Sequence, residues 1–151
     1  MIKIICVGKI KEKFYKDAIE EYQKRLSKYT KIQIIEVPDI DLKDPILNKK
    51  CEKENILKHI KEKDYVIALD INGKELSSIE FSKYLEKTEI INSNITFIIG
   101  GSYGIDSQLL SGSNDKISFS KLTFPHQLFR IILLEQLYRA YKIRNNESYH
   151  K

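Results

Sequence analysis

The feature that most constrains this sequence is an alternation of short apolar runs with segments of helical periodicity. Five runs rich in isoleucine, valine, leucine and phenylalanine have the length and residue types of β-strands. They are Ile2–Val7, Ile32–Val37, Tyr65–Leu69, Ile95–Ile99 and Ile117–Phe119. Nearly continuous apolar runs are typical of strands that are covered on both faces of a sheet. The sequence therefore predicts an α/β fold in which a mostly parallel sheet is flanked by helices.

Three helices are predicted between these strands. The first has apolar residues at every fourth position, which indicates one side facing the core. Those residues are Phe14, Ala18, Tyr22 and Leu26. The second is predicted around residues 47–60, with an apolar side formed by Leu47, Cys51, Ile56, Leu57 and Ile60. Ser77 followed by Glu80 is the sequence of a capping box, which predicts the start of a third helix that runs to about Lys87.

The length of the chain is that of one domain. Its 151 residues contain no linker and no internal repeat, so we predict a single domain over residues 1–151. No apolar run approaches the ~20 residues that span a bilayer. The first residues lack the basic leader and the apolar length of a secretory signal. These observations predict a cytoplasmic protein with no membrane segment.

Residues that could bind a metal or form a catalytic triad are scattered along the chain. Cys6 and Cys51 lack a Cys-x-x-Cys spacing, which predicts two reduced thiols. The three histidines have no metal-ligand spacing, so no metal site is predicted. A hydrolase that used His126 and Glu135 would lack a nucleophile placed with them.

Charge is distributed unevenly along the sequence. Residues 1–63 contain 16 Lys and Arg against 11 Asp and Glu, residues 64–115 contain 3 against 8, and residues 116–151 contain 7 against 2. Two basic ends on one side of the fold would form a positive face for a polyanion such as RNA. Lysine-rich helices that are merely solvated explain the same charges equally well. The basic residues of the first third that could contact a polyanion are Lys9, Lys11, Lys13, Lys16, Arg25 and Lys28.

Two loops have the composition of a ligand site. Three glycines follow the fourth strand in the segment 98–104, where the main chain could approach a ligand or simply form a tight turn. The spacing is neither that of a dinucleotide fingerprint nor that of a phosphate loop. The segment 118–127 is rich in hydroxyls and main-chain donors between two buried elements. Such a loop either binds a polar ligand or caps itself locally.

The last predicted helix, Pro125 to Ile143, is apolar nearly all the way round. This pattern predicts either a second copy of the chain packed against it, in a homodimer, or a central helix within one chain. Glu135 and Arg139 interrupt it at a spacing that favours an ion pair. The tail after it, Glu147–Lys151, has residues that could stack on a base or contact phosphate, although chain ends are usually disordered.

Taken together, these segments resemble the RlmH family, small SPOUT-class methyltransferases that methylate N3 of a pseudouridine in large-subunit ribosomal RNA. The resemblance runs from end to end of the chain. The matching segments are residues 7–11, 69–71, 99–104, 118–127, Arg130, 135–140 and 149–151. Two departures, Phe119 in place of a frequent leucine and Ser148 in place of a frequent proline, lie beside matching residues.

The resemblance implies a fold, a cofactor and an assembly. The C-terminal third would be threaded into a trefoil knot, and the protein would be a homodimer. S-adenosylmethionine would be bound by a strand-end leucine, a glycine and the loop before the last helix. In this sequence those residues are Leu69, Gly100, Phe119, Ser120, Lys121, Leu122, Thr123 and Phe124.

The resemblance also directs the choice of catalytic and RNA-binding residues. Loss of the N3 proton calls for a base or a strong acceptor, for which the candidates are Glu135 and His150. Arg139 and Tyr149 would position the base or a phosphate. The candidate RNA contacts are Lys9, Lys11, Arg25, His126 and Arg130.

We expect a composite site, in which the cofactor loop of one subunit faces RNA-binding groups of the other, and the assembled ribosome as substrate. Two other interpretations are weighed against this one. A non-catalytic ribosomal RNA-binding protein is the main alternative. A Rossmann-type methyltransferase is disfavoured, because only Gly8 follows the first strand.

Overall fold

The computed structural model describes all 151 residues and contains one five-stranded parallel sheet in the order β2-β1-β4-β3-β5. The strands are β1 Ile2–Val7, β2 Ile32–Val37, β3 Tyr65–Glu75, β4 Ile95–Ile99 and β5 Asp115–Ser118. The helices are α1 Lys13–Leu26, α2 Pro45–Leu57, α3 Ser78–Ile91, α4 Ser107–Gly112 and α5 His126–Arg144. The predicted α/β class is confirmed. None of the five helices has the length and apolarity needed to cross a membrane.

Helices cover both faces of the sheet. The larger core contains Ile4 of β1, Leu85 of α3 and Leu137 of α5, together with Leu26 at the end of α1. The smaller core, on the opposite face, joins Ile5 of β1 to residues of α2 and α4. Since successive side chains of a strand point to opposite faces, a strand covered on both sides is apolar at most positions. Lys3 of β1 and Thr96 of β4 are the buried polar exceptions. The continuous apolar runs of β1 and β4 reflect this burial.

Three strands match their predicted bounds and two do not. β3 continues beyond Leu69 to Glu75, with a register shift against β5 between Leu69 and Lys74. A Cβ atom on Gly73 would lie 2.7 Å from the main chain of β5, so glycine permits this close approach. The extension is polar, and the apolar pattern therefore ends the predicted strand too early.

The faces predicted for the first two helices need correction. Phe14 of α1 is 65% exposed, and Leu47 and Leu57 of α2 are also exposed. The buried positions of α2 include Asn48 and Glu52. These polar side chains accept hydrogen bonds from main-chain N–H groups of the preceding loop, so a polar face is buried where the sequence predicts an apolar one.

The capping box of α3 is confirmed, with hydrogen bonds between Ser77 and Glu80 in both directions. The short helix α4 is absent from the predicted elements; Asp106 caps it by accepting from two main-chain N–H groups. Both cysteines are free, as expected.

The last helix packs against α1 and α3 on one face of the sheet. Leu133, Leu134 and Leu137 are fully buried, whereas Leu128, Ile131 and Ile132 are only half-buried. The helix thus serves as a core element within one chain and also retains a partly exposed apolar side. The homodimer and the trefoil knot stay predictions.

Candidate functional site

A cavity of about 490 Å³ lies at the carboxyl ends of β4 and β5 and beside the middle of β3, where the register shifts after Leu69. Its volume falls within the ~300–1,000 Å³ of small-molecule sites. Seven of the eight residues predicted to bind the cofactor line it. They are Leu69, Gly100, Phe119, Ser120, Leu122, Thr123 and Phe124. Lys121, the eighth, is exposed and does not line this first cavity.

The glycine segment forms a tight turn and also lines the first cavity. The sequence offers a tight turn and a ligand contact as alternatives, and the structure has room for both. The N–H of Gly104 donates to the carbonyl of Gly101 at 3.0 Å, and Gly104 has a φ of +85°. A Cβ on Gly100 would lie 2.8 Å from the side chain of Ile105 and 2.9 Å from the main chain of Gly104. Any side chain at position 100 would therefore disturb the turn.

The loop between β5 and α5 leaves most of its main-chain donors free. Within residues 119–124, only the N–H of Leu122 donates a hydrogen bond inside the chain, to Ser120 Oγ at 3.0 Å. Ser118 Oγ donates to the Ser120 carbonyl, which fixes the turn. Local capping is thus partial, and the remaining N–H groups are available to a polar ligand.

Aromatic rings form an apolar wall of the same cavity. The ring centroids of Phe119 and Phe129 are 5.4 Å apart, and those of Phe124 and Phe129 are 6.3 Å apart. Phe129 is not among the residues predicted from the sequence, although it follows the predicted loop by one helical turn. An apolar wall with several main-chain donors fits a ligand that has a flat ring and polar edges, such as the adenosyl group of S-adenosylmethionine.

His126 lies between the first cavity and a second one of about 670 Å³, which Lys9 and Lys11 also line. Its Nε2 is buried and has no hydrogen-bond partner. A Cβ on Gly8, whose φ is +92°, would lie 3.1 Å from that nitrogen. Burial lowers the pKa of His126, against the opposing charge of Asp39. His126 therefore offers a neutral imidazole to this wall.

Arg130 is predicted from the sequence to contact RNA, and the structure corrects this. The residue is only 1% exposed. Its Nη1 donates to Glu36 at 2.6 Å, and its Nη2 donates to the carbonyl of Gly8 at 2.5 Å. Burial opposes the ionisation of Glu36, but hydrogen bonds from Arg130 and from the N–H of Ile10 outweigh it and lower its pKa. Arg130 thus joins α5 to the ends of β1 and β2 and is not available to RNA.

The four predicted catalytic residues form one cluster, which we call the tail cluster: Glu135, Arg139, Tyr149 and His150. The predicted ion pair is confirmed, with Arg139 Nη2 2.6 Å from Glu135 Oε1. The hydroxyl of Tyr149 donates to Glu135 at 3.1 Å, and Arg139 Nη1 lies 3.1 Å from His150 Nδ1. The guanidinium of Arg139 also packs over the Tyr149 ring. The end of the chain is therefore folded back along α5.

Within one chain, the tail cluster and the first cavity are separate. No residue of the tail cluster lines the cavity. Glu135 follows His126 by nine residues, which is about 14 Å along a helix. Arg25 lies nearer to the tail cluster, because its guanidinium is 5.7 Å from the ring of Tyr138, and that ring is 5.0 Å from the ring of Tyr149.

Comparison with known proteins identifies a family. A family model described as "Predicted SPOUT methyltransferase" matches residues 1–150. The curated "Ribosomal RNA large subunit methyltransferase H" of Clostridium botulinum (strain 657 / Type Ba4) is 56% identical, with 99% of each chain covered. The protein of the same name from Clostridium tetani is 55% identical over the same shares.

A solved structure shares the fold. It is that of a probable methylase family protein from Haemophilus influenzae Rd KW20, with a TM-score of 0.57 and 14% sequence identity. The match covers 99% of this chain and 70% of that one.

Proposed function

Because the chain belongs to the SPOUT methyltransferase family, we propose that it methylates large-subunit ribosomal RNA with S-adenosylmethionine as methyl donor. The names of its curated relatives support the substrate class. The basic ends of the chain suit a polyanionic partner, since RNA binding depends on neutralising phosphates. The resemblance described above supports the finer proposal, which is N3 of a pseudouridine on the assembled ribosome.

The observation that carries the proposal is the first cavity, with its free main-chain donors and aromatic wall. Leu69, Gly100 and the loop 119–124 would hold the methyl donor there. When bound, S-adenosylmethionine supplies an activated methyl group on a sulfonium. The protein then has to align the nucleophile and exclude water.

The tail cluster supplies groups that could act on the acidic N–H of the target base. An arginine only donates hydrogen bonds, so Nδ1 of His150 accepts from Arg139 and a neutral ring carries its proton on Nε2. In this arrangement His150 is a donor, suited to a base carbonyl or a phosphate. We therefore assign proton acceptance to the Glu135 carboxylate, which Arg139 and Tyr149 orient.

We propose that two copies of the chain complete the site. The separation between the tail cluster and the first cavity keeps the four predicted catalytic residues of one chain away from its own methyl donor, although Asp70 and His126 line that cavity. A homodimer in which the tail cluster of one chain faces the cavity of the other would join them. The half-buried apolar side of α5 supports such an association.

Titration of S-adenosylmethionine into the purified protein tests the cofactor site by calorimetry. We expect saturable binding that is lost in Gly100→Trp and in Thr123→Arg. The second variant places its change on an exposed loop and should leave the fold intact, which circular dichroism checks. Absence of binding to the folded wild-type protein would favour the non-catalytic RNA-binding alternative.

Labelled methyl transfer to 70S ribosomes, free large subunits and naked ribosomal RNA tests the substrate. Ribosomes from cells that lack the modification should accept one methyl group, and nucleoside mass spectrometry should find it on pseudouridine. Mixing Thr123→Arg with a chain that lacks residues 148–151 tests the shared site. Mixed dimers that regain activity support it, and mixed dimers that stay inactive contradict it.

A further inference from the structure

A single carboxylate fixes the chain at the point where it leaves α5. Glu147 accepts from the hydroxyl of Tyr29 at 2.8 Å and from Nζ of Lys142 at 2.7 Å. The N–H of Glu147 also donates to the carbonyl of Lys142. The residue before it, Asn146, has a φ of +54°, which turns the chain sharply. We call Tyr29, Lys142 and Glu147 the Glu147 clamp.

Aromatic packing holds the Tyr29 hydroxyl in place. The ring of Tyr29 stacks on Tyr141 of α5 with centroids 5.4 Å apart, and it contacts the edge of Tyr138 at 6.4 Å. Tyr138 in turn meets the ring of Tyr149 at 5.0 Å. Tyr29 comes from the segment after α1, so the clamp connects two distant parts of the sequence.

The residues after Glu147 have no regular secondary structure of their own. A chain end of this kind is ordered only where side chains fix it. Tyr149 and His150 each make one side-chain hydrogen-bond contact, and both contacts are to the tail cluster. The clamp therefore limits how far these two side chains can move from α5.

We propose that the Glu147 clamp positions Tyr149 and His150 for methyl transfer, an inference that rests on the proposed function. The three residues of the clamp touch neither cavity. They act through the tail and are positioning residues. Loosening the clamp should impair the chemical step and leave binding of the methyl donor unchanged.

Two substitutions test the clamp, Tyr29→Phe and Glu147→Gln. We expect each to lower kcat on ribosomes by roughly tenfold, because displacement of catalytic groups by about 1 Å is costly. The dissociation constant of S-adenosylmethionine, measured by calorimetry, should stay within about twofold of wild type, since the cavity is untouched. Hydrogen exchange of residues 147–151 should become faster. Glu54→Gln and Tyr15→Phe are matched controls, because neither side chain makes a hydrogen bond, and both should behave as wild type.

A double-mutant cycle separates positioning from a general effect on the fold. If Tyr29 acts through the tail, Tyr29→Phe should lower kcat much less in a Tyr149→Phe background than in the wild-type protein. Equal losses of kcat in the two backgrounds would overturn the inference that the clamp positions the tail. Full activity of both clamp variants would overturn it as well. A wild-type protein that neither binds S-adenosylmethionine nor methylates ribosomes would instead overturn the proposed function, and this inference with it.

Discussion

The guanidinium of Arg130 donates a hydrogen bond to the carbonyl oxygen of Gly8 at 2.5 Å, across 122 positions of sequence. The bond joins α5 to the carboxyl end of β1, beside the histidine that separates the two cavities. A charged side chain that is 1% exposed is stable only when its donors are satisfied. Nη1 and Nη2 of Arg130 meet that condition with Glu36 and two carbonyl groups, whereas its buried Nε has no hydrogen-bond partner.

Replacing Arg130 by methionine should therefore lower the free energy of unfolding. The change removes the donor to two buried carbonyls and leaves the Glu36 carboxylate with only the N–H of Ile10. We expect a loss of about 3 kcal/mol, less than for a fully buried pair because water reaches Glu36. Urea unfolding measures it. Arg25→Met is the control; it breaks an exposed pair with Glu21 and should change the free energy of unfolding much less. Equal losses in the two variants would contradict a structural role for Arg130.

A second buried charge pair predicts a pH dependence of stability. Lys3 Nζ lies 2.7 Å from Asp64 Oδ2, and both side chains are almost fully buried. Burial opposes ionisation of Asp64, but hydrogen bonds from Lys3 and from the N–H of Lys61 outweigh it and lower its pKa. The pair therefore contributes stability above the ordinary pKa of an aspartate, and this stability is lost as the pH falls through the lowered value.

Lys3→Met should reverse the sign of this dependence. Without Lys3, the buried Asp64 is destabilised in its charged form, so its pKa rises. At pH 7 we expect a loss of about 3–5 kcal/mol. The difference from wild type should narrow as the pH is lowered toward 5, because protonation relieves the variant. Urea titrations at several pH values measure this difference, and a constant difference would show that Asp64 stays ionised in the folded variant and that its pKa has not risen.

His126 should titrate below the ordinary pKa of histidine. Its imidazole is half-buried, which disfavours the charged form. The nearby carboxylate of Asp39 acts in the opposite direction. Asp39→Asn should therefore lower the pKa further. NMR titration of the ring protons measures both values, and a higher pKa in the variant would contradict the assigned role of Asp39.

Lys9 and Lys11 line the second cavity and are candidates for ribosome binding. Lys9→Glu and Lys11→Glu should weaken ribosome binding and lower the salt dependence of the affinity, by about 0.7–0.9 in slope for each phosphate that is no longer neutralised. Binding of S-adenosylmethionine should be unchanged. Lys87→Glu on the exposed side of α3 is the control. Equal weakening in all three variants would indicate a general charge effect.

The apolar pattern predicts the strands well where both faces are buried. It fails for the second half of β3, where the residues are polar and a glycine allows close approach to β5. It also fails for α2, because Asn48 and Glu52 are buried to accept hydrogen bonds from main-chain N–H groups of the loop that precedes the helix. Hydrogen-bond partners of this kind cannot be inferred from periodicity.

In the candidate site, too, sequence reasoning finds the local segments and misses the partners that folding brings together. The loop 119–124 is identified by its resemblance to a family, and seven of eight predicted residues line one cavity. The resemblance also assigns Arg130 to RNA. Its actual partners, Glu36 and the carbonyl of Gly8, are distant in sequence and meet it only through the strand order.

One helix carries both Phe129, in the wall of the first cavity, and Glu135, in the tail cluster. Because a helix is stiff, it fixes the distance and the relative orientation of the two groups. An insertion of one residue between them would rotate one end against the other by about 100° and lengthen the separation by about 1.5 Å. The number of residues in this stretch of α5 is thus as constrained as their identity, and insertions or deletions should be tolerated in the surface loops before they are tolerated here.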